Sequence, residues 1–358
     1  MNKKKLSLLI IIALIVFSSF FIIINNKKGD QYSSTYYNLG TINEITLYNI
    51  KKDDGDRILK KCESILTDID NKMSRQISDS EVSKINENAG LDYVQISDET
   101  YYVIKESINF SSISNDTFDI SIGPLIDLWA IGTDNAKVPT ENEIEEKLSL
   151  VNYKDILFDD DTKSIKLAKK NMKIDLGGIA KGYAADKIYE YLSEDEKLES
   201  ALINLGGNIY VLGTKTNNQP FSIGIQDPTK PRGNSIGNIK VSDKSVVTSG
   251  IYERYIEKNN KIYHHMLDPH TGYPFDNNLS SVTIVSDKSI ICDALSTTTF
   301  GLGVEKGLNL VESLDGVDAI FITKDHYLYL TDGFKDVFTL TNNNYKIKTF
   351  GVENFYIE

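Results

Sequence analysis

Between Leu6 and Ile24 the chain runs nineteen residues without a charge, rich in Ile, Leu and Phe, between Lys3-Lys4-Lys5 and Lys27-Lys28. As a helix at about 1.5 Å per residue it would span ~28 Å, close to one bilayer core. Such a run separates from the rest of the chain as an address and leaves the remainder to fold by itself. A cleavable signal usually has a shorter apolar region and a small-residue exit, whereas the exit here is Phe-Ile-Ile-Ile-Asn-Asn. Residues 1–28 are therefore expected to be a retained single-pass membrane anchor, and no cysteine follows the run to permit lipoprotein processing. The cluster Lys3 to Lys5 favours an inside N-terminus, with the body on the extracytoplasmic face, although Lys27 and Lys28 reduce the asymmetry. Residues 29–38 read as a polar linker and 39–358 as one catalytic domain.

Charge narrows the function classes. The whole chain carries 39 Lys and Arg against 51 Asp and Glu, a formal net of −12, and the five lysines of residues 1–28 account for part of the positive side. Without them the body stands at 34 basic against 51 acidic residues, or −17. Nucleic-acid binders gain affinity by neutralising phosphates, so that class is disfavoured. An anionic ligand would need local donors or a metal to overcome the field. Two cysteines, Cys62 and Cys292, without CxxC spacing, exclude a disulfide scaffold and zinc-finger or thioredoxin readings.

Short elements alternate along the body. Ile45 to Ile50 reads as a strand, and Ile58, Cys62, Ile65, Leu66, Ile69 and Met73 fall at helical spacing over Asp56 to Met73. A second helix is expected from Glu99 to about Ser112, and Thr140-x-x-Glu143 after Pro139 opens a third, running to about Leu150. Strands are expected at Ile156–Phe158, Ser164–Ala168, Asn171–Ile174, Ser222–Gln226, Gly237–Val241, Ser245–Ser249 and Lys261–Met266. A strand pair broken at Gly206-Gly207 fills Ala201–Leu212, after a helix over Ile179–Leu192. Hairpin spacing dominates the second half, so the class is α+β (mixed α/β) with an antiparallel-rich sheet.

Two motifs fail on context. Gly233-x-Ser235-x-Gly237 has the nucleophile-elbow pattern but lies in a polar stretch rather than between an apolar strand and a helix. Gly301-x-Gly303 follows a Thr-rich segment instead of opening a βαβ unit, and reads as a helix ending.

Three segments carry the chemistry. In Met172 to Asp186 a strand enters the Gly177-Gly178 turn and then a helix bearing Lys181 and Gly182. Free N–H groups at such a turn point at a ligand, although a plain tight connection with Asp175 as cap has the same pattern. In the second, His264, His265 and His270 fall within seven residues. Adjacent strand histidines point to opposite faces, and Asp268-Pro269-x-Thr271-Gly272 reads as a turn, so a positioned histidine and a shaped loop are favoured over a histidine metal site. In the third, Asp293 and Thr297 stand at i and i+4, offering hard oxygens suited to Mg²⁺ or Ca²⁺, unless Asp293 is simply an N-cap.

Together, Asp175-Leu-Gly-Gly-Ile-Ala-Lys-Gly-Tyr-Ala, Leu205-Gly-Gly-Asn-Ile, Thr248-Ser-Gly-x-Tyr-Glu-Arg, His264-His-x-Leu-Asp-Pro-x-Thr-Gly-x-Pro and Asp293-Ala-Leu-Ser-Thr resemble the ApbE family, the FAD:protein FMN transferases. Leu39-Gly40-Thr41, Met73-Ser74 and Phe118-Asp119-Ile120-Ser121-Ile122-Gly123-Pro124 agree, and the resemblance spans about residues 36 to 335 in order. It implies an ApbE-like, T-fold-like catalytic domain that transfers the FMN half of FAD to a threonine hydroxyl of an extracytoplasmic electron-transfer protein, releasing AMP. It also implies Mg²⁺ on the side chains of Asp293 and Thr297, with Ser296 and the Gly178 carbonyl. Leu39, Thr117, Phe118, Asp119, Asp175, Lys181 and Leu267 match positions that contact FAD. His265 and Asp293 are rival acceptors of the threonine proton. Many relatives carry an aromatic residue shortly after the Met-Ser pair, where this chain has Arg75-Gln76-Ile77. Competing readings are a Mg²⁺-dependent FAD pyrophosphatase giving FMN and AMP, and a non-catalytic FAD-binding protein of the membrane surface.

Overall fold

The computed structural model describes residues 30–348. The anchor expected at residues 1–28 lies outside them, and among the described residues no helix is long and apolar enough to cross a membrane. A nine-stranded sheet forms the centre, and its spatial order follows the chain: Asp30–Asn38, Thr41–Ile50, Ser200–Leu205, Asn208–Gly213, Lys244–Gly250, Leu279–Ser286, Asp318–Thr323, Tyr327–Leu330 and Lys346–Lys348. Every pairing is antiparallel except the last.

Period-two alternation sorts the side chains into two cores. Ile203, Val247, Val282, Ile284 and Phe321 enter the larger one, against the helices Lys52–Met73, Ala180–Glu190 and Ser289–Glu312. The intervening Val211, Val246, Val285, Ile320 and Ile322 enter a second, closed by the three-stranded sheet Phe221–Gln226, Ser235–Val241 and Phe338–Leu340. The strand Leu279–Ser286 is buried along its whole length, its Ser and Thr residues included, because layers cover both faces of the sheet there. A smaller cluster of Leu125, Trp129, Ile144 and Leu267 sits beside the main core.

The structure departs from the sequence expectation in two places and agrees with it in a third. Residues 30–38 are no linker: they pair antiparallel with Thr41–Ile50. Polar composition hid this strand, because an edge strand buries little of itself. Gln31, Ser33, Thr35 and Tyr37 face water, whereas Tyr36 is buried and Tyr32 and Ser34 are half-buried. The Tyr36 hydroxyl donates to the Leu59 carbonyl at 2.8 Å, tying the strand to the first helix. The folded unit thus includes residues expected to precede it. Asn171–Ile174 forms no strand, only a single bridge between Ile122 and Lys173. The Asn86 side-chain amide replaces the ladder there, donating to the Ile174 carbonyl at 3.0 Å and accepting the Ile174 N–H at 2.7 Å. Gly301-x-Gly303 does end a helix, as its pattern suggested: the backbone leaves helical geometry at Gly303, with φ 77° and ψ 179°, so Ser289–Glu312 is two helical stretches joined across that kink, at a φ that suits glycine.

Candidate active site

Two helices meet beside the sheet. The hinge helix, Ala180–Glu190, leaves the Gly177-Gly178 turn, and the carboxylate helix, Ser289–Glu312, carries Asp293, Ser296 and Thr297. They touch at Gly182, where an added Cβ would lie 2.4 Å from the Ser289 carbonyl oxygen and 2.7 Å from the Ile290 Cα. Only glycine permits that approach.

The approach brings the carboxylate to the hinge. Asp293, 4% exposed, accepts the Gly182 backbone N–H on Oδ2 at 2.9 Å. The Lys181 ammonium lies 3.4 Å from each Asp293 oxygen and donates to the Gly177 carbonyl at 3.0 Å. Opposite charges in a largely buried pair offset each other's desolvation. Asp293 is therefore not an N-cap: it sits a turn into its helix and serves the neighbouring one.

Hydroxyls line the same place. Ser296 donates to the Asp293 carbonyl at 2.8 Å, because a carbonyl can only accept. Its single proton being used, Ser296 accepts from Ser249 at 2.8 Å, and Ser249 lies 3.3 Å from Thr297 Oγ1. That direction leaves lone pairs on the Thr297 oxygen for a cation. Gly178 faces the group: a Cβ there would stand 3.2 Å from the Phe118 ring and 4.0 Å from Thr297 Oγ1. The donors are one carboxylate, hydroxyls and backbone carbonyls, with no cluster of three or more His, Cys, Asp or Glu among the described residues. Such a hard, weakly charged set suits Mg²⁺, which keeps waters and takes further oxygens from a phosphate ligand.

Asp175 shapes the turn by accepting the Gly177 N–H at 2.8 Å, while the helix N-cap is Ile179 and has no side-chain bond. Its other oxygen lies 3.4 Å from the Arg75 guanidinium, which also pairs with Asp127. Arg75 thus takes part in the hinge.

His265 donates through Nδ1 to the Arg254 carbonyl at 3.2 Å, since that oxygen can only accept, which leaves Nε2 with a lone pair. Burial pushes its pKa from 6.5 to about 4, and the positive charges of Arg254 and Lys181 act in the same direction. His264 points the other way, into the core, donating through Nε2 to the Phe275 carbonyl at 3.0 Å, and burial lowers it to about 4 as well. The Asp268 loop closes as a turn, with Gly272 N–H on the Asp268 carbonyl at 2.8 Å and Thr271 Oγ1 on its carboxylate at 3.0 Å.

The remaining expected residues are more dispersed. Phe118 joins the hinge through Gly178, and Thr117 packs against Gly301 on the carboxylate helix. Asp119 uses both oxygens internally: Oδ1 accepts from the Ser121 N–H and hydroxyl at 2.7 Å each, and Oδ2 from the Tyr153 N–H at 2.9 Å. Burial is the main influence raising its pKa. Leu267 buries its side chain with Trp129 and Leu125. Leu39 occupies the turn before Thr41, with a left-handed φ of 53°. Three contributors received no role from sequence: Arg75, Ser249 and Asp186. Ser249 and Asp186 lie inside motif segments, but the partners that give them meaning are distant in the chain.

Similarity to known proteins covers most of this body. A family model described as "ApbE family" matches residues 39–321. The chain is 38% identical over 291 residues to an FAD:protein FMN transferase of Klebsiella pneumoniae, covering 81% of this chain and 88% of that protein. A Treponema pallidum protein of the same description is 32% identical over 320 residues, covering 86% and 88%. The crystal structure of an ApbE protein from Thermotoga maritima superposes with a TM-score of 0.79 at 33% identity, covering 86% of this chain and 99% of that one.

Proposed function

The chain belongs to the ApbE family, and from that premise we propose that it is a flavin transferase moving the FMN half of FAD to a threonine hydroxyl of an extracytoplasmic acceptor protein. The observation that carries the reading is the meeting of Lys181, Gly182 and Asp293, beside the Ser249–Ser296–Thr297 hydroxyls.

In the proposed reaction the threonine oxygen attacks the flavin-side phosphorus of FAD. A new P–O bond forms, the phosphoanhydride bond to AMP breaks, and AMP leaves with that electron pair. The threonine proton passes to a base. His265 is suited by its unprotonated Nε2, held in one tautomer by the Arg254 carbonyl. Asp293 is the less suited acceptor, since its oxygens already receive the Gly182 N–H and face Lys181. Asp293, Thr297, Ser296 and the Gly178 carbonyl would hold Mg²⁺, which when bound neutralises pyrophosphate charge and assists departure of AMP. Lys181 orients the phosphates; the hinge N–H groups of Gly177, Ile179, Ala180 and Gly182 are bonded within the protein. The charged cluster and long apolar run near the N-terminus support placement of this chemistry outside the membrane.

The test is incubation of the protein with FAD, Mg²⁺ and a threonine-bearing acceptor protein. A covalently fluorescent acceptor and free AMP are expected. Free FMN plus AMP with an unlabelled acceptor would mean a pyrophosphatase, and intact FAD a carrier.

A further inference from the structure

The carboxylate helix lacks a cap of its own. Its N-cap, Lys288, makes no side-chain cap bond, so the first-turn N–H groups need acceptors from elsewhere. Asp186 supplies them from the hinge helix: Oδ1 accepts the Ser289 N–H at 2.6 Å and Oδ2 the Ile290 N–H at 2.9 Å. Gly182 and Asp186 stand at i and i+4, on one face of the hinge helix. That face therefore holds the carboxylate helix at two levels. Asp186 grips its first turn, and the Gly182 N–H grips Asp293 one turn further on. The glycine contact is with Ser289 and Ile290, the same first-turn residues that Asp186 holds.

We infer that Asp186 is a positioning residue for the metal-binding end of the site, acting through the register of the carboxylate helix rather than by touching substrate or cation. Sliding or tilting that helix would move Asp293 and Thr297 away from the Gly178 carbonyl. The inference rests on the Mg²⁺ reading proposed above.

Calorimetric titration of the full-length protein with Mg²⁺ in the absence of FAD tests it. Asp186→Ala is expected to weaken Mg²⁺ binding by about 10–100-fold, the usual effect of losing a group that orients a ligand. Asp186→Asn, which keeps one acceptor oxygen, should fall between that variant and wild type and carries the test if the alanine variant does not fold. Adding Lys288→Asp to Asp186→Ala gives the carboxylate helix a cap in its own chain. A positioning role predicts that thermal stability recovers and Mg²⁺ affinity does not. Recovery of both, or an Asp186→Asn affinity within about twofold of wild type, overturns the inference. A wild-type protein that binds no Mg²⁺ would instead overturn the metal reading itself.

Discussion

Asp293 combines a buried carboxylate with two neighbours on another element, Lys181 and Gly182, so its replacement should separate chemistry from folding. Asp293→Asn keeps the shape and the Gly182 contact but loses the charge, and turnover is expected to fall at least about 100-fold at limiting Mg²⁺. Near-normal turnover there would refute the role. Lys181→Met should raise the KM for FAD by about tenfold, corresponding to one charge-assisted hydrogen bond, with less effect on kcat. His265 offers a pH test. With its pKa lowered from 6.5 to about 4, the neutral form persists through mildly acidic pH. The acid limb of kcat/KM should therefore not fall at 6.5, and an inflection there that disappears in His265→Ala would contradict the assigned environment.

At the scale of elements, the contact between the hinge and carboxylate helices leaves no room for a side chain. Gly182→Ala puts a methyl 2.4 Å from a backbone oxygen that cannot rotate away, so destabilisation of about 1–3 kcal/mol is expected in urea unfolding. His264 ties the second histidine to stability. Its ordinary pKa is 6.5 and its folded value about 4. Above 6.5 neither state is protonated and its contribution is complete; as pH falls towards 4 the unfolded chain takes a proton that the folded one refuses. Stability should then drop by roughly 1 kcal/mol per pH unit, and His264→Gln should be less acid-sensitive over that window. Helices were legible because their apolar spacing is local: Ile58, Cys62, Leu66, Ile69 and Met73 are all buried on one face of Lys52–Met73. The strand at residues 30–38 was not, because its partner supplies what its composition lacks. Ile174 likewise borrows its hydrogen bonds from Asn86, 88 residues away.

Over the whole molecule, antiparallel hairpins were readable from turn spacing, but the burial of both sheet faces was not. Whether Val246 and Val247 enter different cores depends on the layer above each face, which no local pattern records. The site divides in the same way. Gly178, Lys181, Asp293 and Thr297 were marked by motif, and the fold brings them together, whereas Arg75 and Asp186 acquire roles only through Asp175 and the start of the carboxylate helix. Chemistry, charge and topology meet in one quantity, the ratio of AMP released to flavin bound covalently to the acceptor, measured against Mg²⁺ for wild type and Asp293→Asn. A ratio near one in the wild type, saturating with Mg²⁺ and abolished when the acceptor threonine becomes alanine, is expected, with little of either product from the variant. Release of AMP with no flavin on the acceptor, or labelling that proceeds equally without Mg²⁺ and without the Asp293 carboxylate, would contradict it.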